Sequence, residues 1–216
     1  TYSGVRPLAA SGASTTGSVS RSHHCEVTAP SATFRVPIYS MIGGKWTPFR
    51  AFAEQVTTRI LAERGTARNV DTRRLAIGGG RGFPTGSESQ KAWIQRLADA
   101  HRIKAERVET LLWRYGTRAE DVAAFMAKGP DEILRKHPGY TRREIEFIIR
   151  QERVWRLDDL VLRRTSMALL GDVSAALLNE LGTLMQSILH GSDEARREDI
   201  KRTAQLLRNR HGITLA

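Results

Sequence analysis

From Glu88 to the C-terminus, apolar residues recur at helical spacing and nowhere at the alternation of a strand. That pattern predicts an all-α region. Val108, Leu111, Leu112 and Tyr115 make an i, i+3, i+4, i+7 face that stops at Gly116, and Trp93, Leu97 and Ala100 mark the helix before it. Ala119 to Ala127 reads as a short helix closed by Gly129-Pro130. Thr141 is placed to cap the next, with Glu144 at the third helical position to complete a capping box and Ile145, Ile148 and Ile149 on the inner face. Leu157 to Arg164 reads as a short polar-faced helix. Leu177, Leu178, Leu181, Leu184, Met185 and Ile188 form the longest apolar stripe, and Ser192 caps a last charged helix that Gly212 ends. These pieces predict a compact bundle with its own core, over residues 88–216.

Residues 1–64 read differently, as a small α+β piece. Strands are expected at Thr1–Pro7, about Cys25–Thr28 and Phe34–Ile42, with a Gly/Ser/Thr-rich loop from Ala10 to Ser20. Residues 65–87, with Gly78-Gly79-Gly80-Arg81-Gly82 and Pro84, read as a linker. The fold class is therefore mainly α. Within the first piece, Gly43-Gly44-Lys45-Trp46-Thr47-Pro48-Phe49-Arg50 joins a strand to a helix. Two glycines allow a sharp turn and a close backbone approach to a ligand. Thr47 is expected at the N-cap and Pro48 at the first helical position, with Phe49, Phe52, Ala53, Val56 and Ile60 on the apolar face. A helix N-terminus beside a lysine stabilises negative charge.

The chain carries 34 Lys and Arg against 23 Asp and Glu, a formal charge of +11, which points to an anionic partner. Basic pairs such as Arg142-Arg143, Arg163-Arg164, Arg196-Arg197 and Lys201-Arg202 suit phosphates. Glu144, Glu146, Asp158, Asp159, Glu194, Glu198 and Asp199 lie among them, however, and are better read as intramolecular partners. A nucleic-acid binder or a helical partner-docking module is therefore the second reading. The single Cys25 excludes an internal disulfide and suits a reducing compartment. His23-His24-Cys25 would alternate across a strand and cannot readily share one metal ion, so no metal site is expected. No apolar run approaches the roughly 20 residues of a membrane-spanning helix. With a strand expected from Thr1 onward, the chain reads as a fragment that begins inside a fold.

Several motifs carry a family resemblance. Thr1-Tyr2-Ser3-Gly4-Val5-Arg6-Pro7-Leu8, then Ser20-Arg21, then Gly43-Gly44-Lys45-Trp46-Thr47 with Arg50, resemble the end of the flavin-binding part of FAD-dependent glycerol-3-phosphate dehydrogenases. Leu111 to Gly116, Glu144 to Glu152, Leu157-Asp158-Asp159 and Arg163-Arg164-Thr165 resemble the family's C-terminal helical domain, and Gly78-Gly79 falls at its interdomain linker. The resemblance implies a remnant of an FAD-binding fold followed by that domain. It implies oxidation of sn-glycerol 3-phosphate to dihydroxyacetone phosphate, with FAD as hydride acceptor and membrane quinone as electron acceptor. Arg6 and Arg21 would then bind substrate phosphate, Lys45 would act catalytically beside the substrate, and Gly43, Gly44 and Thr47 would touch the flavin. Ser22-His23 departs from the acidic residue the family often places after the second arginine. No Gly-x-Gly-x-x-Gly strand–turn–helix is present, so this chain has no site for the ADP half of FAD, and alone it is expected to be inactive. A cytoplasmic protein, peripheral at the inner membrane through its basic helical surface, fits these implications, and self-association is a further partner option.

Overall fold

The computed structural model describes Thr15, residues 19–43 and residues 45–215. Thr1–Pro7 and most of the Ala10–Ser20 loop lie outside the described residues. The chain divides into two compact units, residues 4–75 and, in the main, residues 76–216.

The smaller unit is a hairpin and a helix. β1 (His24–Thr28) pairs antiparallel with β2 (Ile38–Ile42), in the register His24 opposite Ile42 and Cys25 opposite Met41. The second strand is shorter than the expected Phe34–Ile42. The Ser31 amide bonds the Phe34 carbonyl at 2.7 Å, and the Ser31 hydroxyl accepts from the Thr33 and Phe34 amides. That turn, with Pro37 unable to donate, keeps residues 34–37 out of the ladder. α1 (Phe49–Glu63) follows, with Pro48 rather than Thr47 at the N-cap and no side-chain cap. The Phe49 amide instead closes a turn on the Trp46 carbonyl at 3.1 Å, which displaces Thr47 from capping. The Tyr39 hydroxyl donates to the Glu63 carboxylate and ties β2 to the end of α1. Of the expected apolar face only Val56 is buried; Phe52 and Ile60 are half-buried, and Ala53 and Phe49 are exposed.

The larger unit is mainly α: α2 (Ser87–His101), α3 (Ala105–Tyr115), a 3-10 turn (Gly116–Arg118), α4 (Ala119–Met126), α5 (Arg142–Gln151), α6 (Leu157–Asp159), α7 (Met167–Leu170), α8 (Ala175–Leu189) and α9 (Asp193–His211). It also contains a hairpin, contrary to the expectation of a purely helical region. β3 (Ile133–Leu134) pairs antiparallel with β4 (His137–Thr141) across Arg135-Lys136. Both amides of that turn bond the Glu180 carboxylate of α8 at 2.9 Å, a long-range partner that local periodicity does not reveal. The expected helix over Leu157–Arg164 is a single α turn running into a π turn, Leu160–Arg164, with Leu157, Leu160 and Val161 buried, so it is not polar-faced.

Two clusters make the core. Leu97, Ala98, Val108, Leu111, Ala119, Val122, Ala123, Met126 and Phe147 form one, with Ala98 and not the exposed Ala100 turned inward. The other joins the apolar stripe of α8 to Ile145, Ile148, Leu160, Met167 and Leu207, and Tyr115 packs on both. Thr141, Ser174 and Ser192 cap α5, α8 and α9 as hydroxyl acceptors. Residues 76–86 belong to this unit. Gly79 and Gly116, both at positive φ, approach so closely that a Cβ on either would overlap the other segment's backbone. The Gly79 carbonyl accepts from the Thr117 amide at 2.8 Å and from its hydroxyl at 3.1 Å. No helix among the described residues is long and apolar enough to cross a membrane.

Candidate functional site

The β1–β2 register sets the first site. Because His24 lies opposite Ile42, Arg21-Ser22-His23 runs alongside Gly43 and Lys45. Gly43 has no side chain where a Cβ would come 3.2 Å from His23 Cβ. The His23 ring packs on Phe52 with centroids 4.6 Å apart, and its Nε2 lies 3.2 Å from Gln55 Oε1. Arg21, Ser22, His23, Lys45, Thr47 and Pro48 consequently line one open cleft of about 490 Å³.

Electrostatically the cleft is positive. Neither Arg21 nor Lys45 has an ion-pair partner among the described residues. The first turn of α1 has no capping side chain and no acidic residue, so the positive end of its dipole lies unneutralised behind Thr47 and Pro48 of the cleft. Such a set can hold a phosphate or a developing anion through an arginine fork and an ammonium. Arg50, from the same motif, is committed elsewhere: its Nη1 donates to the Thr72 carbonyl and, at 2.8 Å, to the Leu75 carbonyl. Of the residues expected at the site, Arg21, Lys45 and Thr47 share the cleft and Gly43 lies beside it. Arg6 and Gly44 lie outside the described residues. His23 was missed as a contributor. Its only signal in sequence is the position two residues after Arg21.

The helical unit holds a second polar centre. Glu144 is fully buried and accepts from Arg107, from Arg114 at 2.9 Å and from the Tyr115 hydroxyl at 2.8 Å. Its own carboxylate is thus spent across the core rather than on a capping box, although Thr141 does accept the Glu144 amide at 3.3 Å. Arg114 also stacks on Tyr140, 3.7 Å from the ring centroid. Burial, then the Glu144 charge, pushes the Tyr115 hydroxyl far above its ordinary range. Asp158 is the other buried acid. Burial opposes its charge, but hydrogen bonds from Arg202 and Arg163 outweigh that and hold its carboxyl below the usual range. Arg202 comes from α9, so this network reaches beyond the Asp158-Asp159 and Arg163-Arg164 cluster visible in sequence.

Fold and site define a small basic strand–turn–helix unit and a densely ion-paired, mainly helical domain. Residues 70–196 match the model of the C-terminal domain of alpha-glycerophosphate oxidase, and the chain belongs to that family. Over 176 residues it is 31% identical to glycerol-3-phosphate dehydrogenase 1 of Mycobacterium tuberculosis, covering 78% of this chain and 30% of that protein. It is 27% identical to glycerol-3-phosphate dehydrogenase of Synechocystis sp. and to that of Mycobacterium leprae, again over 78% of this chain and over 30% and 28% of those proteins. The chain thus spans about 30% of the length of the curated relatives it matches.

Proposed function

We propose that this chain is the C-terminal part of an FAD-dependent glycerol-3-phosphate dehydrogenase that oxidises sn-glycerol 3-phosphate to dihydroxyacetone phosphate and passes the electrons to membrane quinone. Residues 1–64 are the end of its flavin- and substrate-binding domain, 65–87 the connection and 88–216 the helical domain. One observation carries the reading: Arg21, Lys45 and the uncapped N-terminus of α1 meet on a single cleft of a chain that belongs to this family.

The residues present fit an anionic ligand and a flat ring: a side-chain-free Gly43, a helix start without an acidic or capping side chain, and two cations without ion-pair partners among the described residues. FAD supplies the hydride acceptor when bound. Arg21, with Arg6, holds the substrate phosphate by a guanidinium fork. Lys45 would hold an ammonium beside the bound flavin and steady the negative charge its chemistry produces, with the positive end of α1 behind it. Gly43, Gly44 and Thr47 line the flavin side.

The test uses the complete enzyme. Lys45→Ala should lower kcat on the order of 100-fold with flavin retained, as loss of a pre-positioned charge does. Arg21→Ala should raise KM for glycerol 3-phosphate about tenfold while leaving kcat near wild type, the expected result of losing one charge-assisted contact. A Lys45→Ala enzyme with unaltered kcat would sink the assignment. Within the helical unit, one member of each basic pair is spent on an acid: Arg143 on Glu146, Arg163 on Asp158 and Asp159, Arg196 on Asp193, and Arg202 on Asp158 and Asp199. That pairing speaks against the nucleic-acid reading.

A further inference from the structure

Arg21 and Lys45 both lie beyond the β1–β2 ladder, whose end pair is His24 with Ile42. Strand pairing therefore does not fix how far apart the two cations stand. A site that orients a phosphate between them needs that spacing set, because a misplacement of about 1 Å is costly. Lys45 is tied to α1 through the chain. The Phe49 amide closes on the Trp46 carbonyl at 3.1 Å and the Phe52 amide on the Pro48 carbonyl at 2.8 Å, so the segment after Lys45 winds directly into the helix. Arg21 reaches the same helix through the side chain two residues on. The His23 ring packs on Phe52, with centroids 4.6 Å apart, and its Nε2 lies 3.2 Å from Gln55 Oε1. That oxygen only accepts, so Nε2 carries the proton and donates it. Phe52 and Gln55 are three residues apart on α1 and share a face, which lets one helix hold both the ring and its polar edge. The Ser22 amide, by contrast, donates to the Ser20 hydroxyl at 3.3 Å, within its own segment.

Gly43 completes the clamp. Its φ is not among the positive ones that call for glycine, so space is what excludes a side chain there. A Cβ would lie 3.2 Å from His23 Cβ and 3.6 Å from His23 Cα, with Phe52 Cε1 at 3.9 Å. The backbone after β2 is thus seated directly against His23, which in turn is seated on α1. We propose that His23 is a positioning residue: held by Phe52 and Gln55 and backed by Gly43, it sets Arg21 at a fixed distance from Lys45. That distance defines the anion the cleft accepts. The inference rests on the reading that Arg21 holds the substrate phosphate, and it adds a residue to which that reading gives no role. His23 acts through Arg21 and needs no contact with substrate.

The test is a double-mutant cycle in the complete enzyme. His23→Ala should raise KM for glycerol 3-phosphate about fivefold and leave kcat within about twofold of wild type. In an Arg21→Ala background the same change should add nothing, because the residue it positions is gone, whereas a general loosening of the site would multiply the two effects. Gln55 is exposed and lies outside the cleft, so Gln55→Ala repeats the cycle without touching the Arg21 segment and should show the same split. His23→Gln, whose amide reaches the place of Nε2, should recover about half of the lost affinity. A readout independent of turnover is amide exchange in the same enzyme: residues 19–28 should exchange at least about fivefold faster in His23→Ala and Gln55→Ala, with α8 unchanged. A wild-type KM in His23→Ala beside a raised KM in Arg21→Ala overturns the positioning role alone. Multiplying effects in the double variant, or unaltered exchange over residues 19–28, overturn it too. A wild-type KM in Arg21→Ala would instead overturn the phosphate assignment beneath it.

Discussion

Glu144 sits where a carboxylate has no water at all, and three side chains from α3 replace it. Breaking one partner of such a set leaves the others as buried, uncompensated charge. Glu144→Gln should therefore destabilise the helical unit by about 3–5 kcal/mol in urea unfolding, well beyond an ordinary surface substitution. Asp158 adds a pH dependence. Its folded carboxyl titrates below the ordinary value of 3.8, so the unfolded chain takes up the proton first as pH falls. Its stabilisation is complete above that value and is lost as pH drops through the lower folded one. Asp158→Asn should flatten the acid limb of a Tm-against-pH profile and lower Tm at neutral pH; a variant with the wild-type acid limb would contradict this. Asp159, less buried, bonds the Trp155 and Arg156 amides and Arg163. Its replacement by alanine should cost stability more than turnover per folded molecule.

At the scale of the element, side-chain pattern and backbone contact contribute separately. The stripe of α8 places Leu177, Leu178 and Leu181 wholly inside, and its existence follows from spacing alone. The Gly79–Gly116 crossing follows from no pattern. Two positive-φ glycines meet backbone to backbone, and the Thr117 bonds to the Gly79 carbonyl close the contact. Gly79→Ala should open this clasp, since it forfeits up to two hydrogen bonds of about 0.5–1.5 kcal/mol each. Tryptic cleavage after Arg81 should then accelerate on the order of tenfold, which a protease time course reads directly. The β3–β4 hairpin is similar in kind. Its turn is held by Glu180 of α8, more than forty residues away, so short-range reading saw only the helices around it.

On the scale of the whole molecule, the two units differ in how much they bury. The helical unit has two apolar clusters, whereas Val56 is the buried hydrophobic residue of the described part of the smaller one, with Phe34, Val36, Trp46 and Phe49 exposed. Local stability follows buried apolar area. Amide exchange in α1 should accordingly run at least about 100-fold faster than in the centre of α8, by mass spectrometry on the intact chain. Equal protection would show that the smaller unit draws its stability from something other than its own core.

The mainly α class, the caps at Thr141 and Ser192, the stripe of α8 and the kinship of the chain were all legible in the sequence, because each depends on residues within a few positions of one another or on motifs in a fixed order. Local chemistry also reads the Gly43–Arg50 turn as a candidate seat for negative charge. Only the tertiary structure decided which side chains line the cleft there. Register put Arg21 and His23 beside Lys45, while the carbonyls of Thr72 and Leu75 drew Arg50 away. It likewise turned Glu144 from a helix cap into the centre of an ion cluster and brought Arg202 to Asp158. The reason is common to all of them. A charged group settles where the summed desolvation and pairing are best, and its partners there come from distant parts of the chain that no local spacing records.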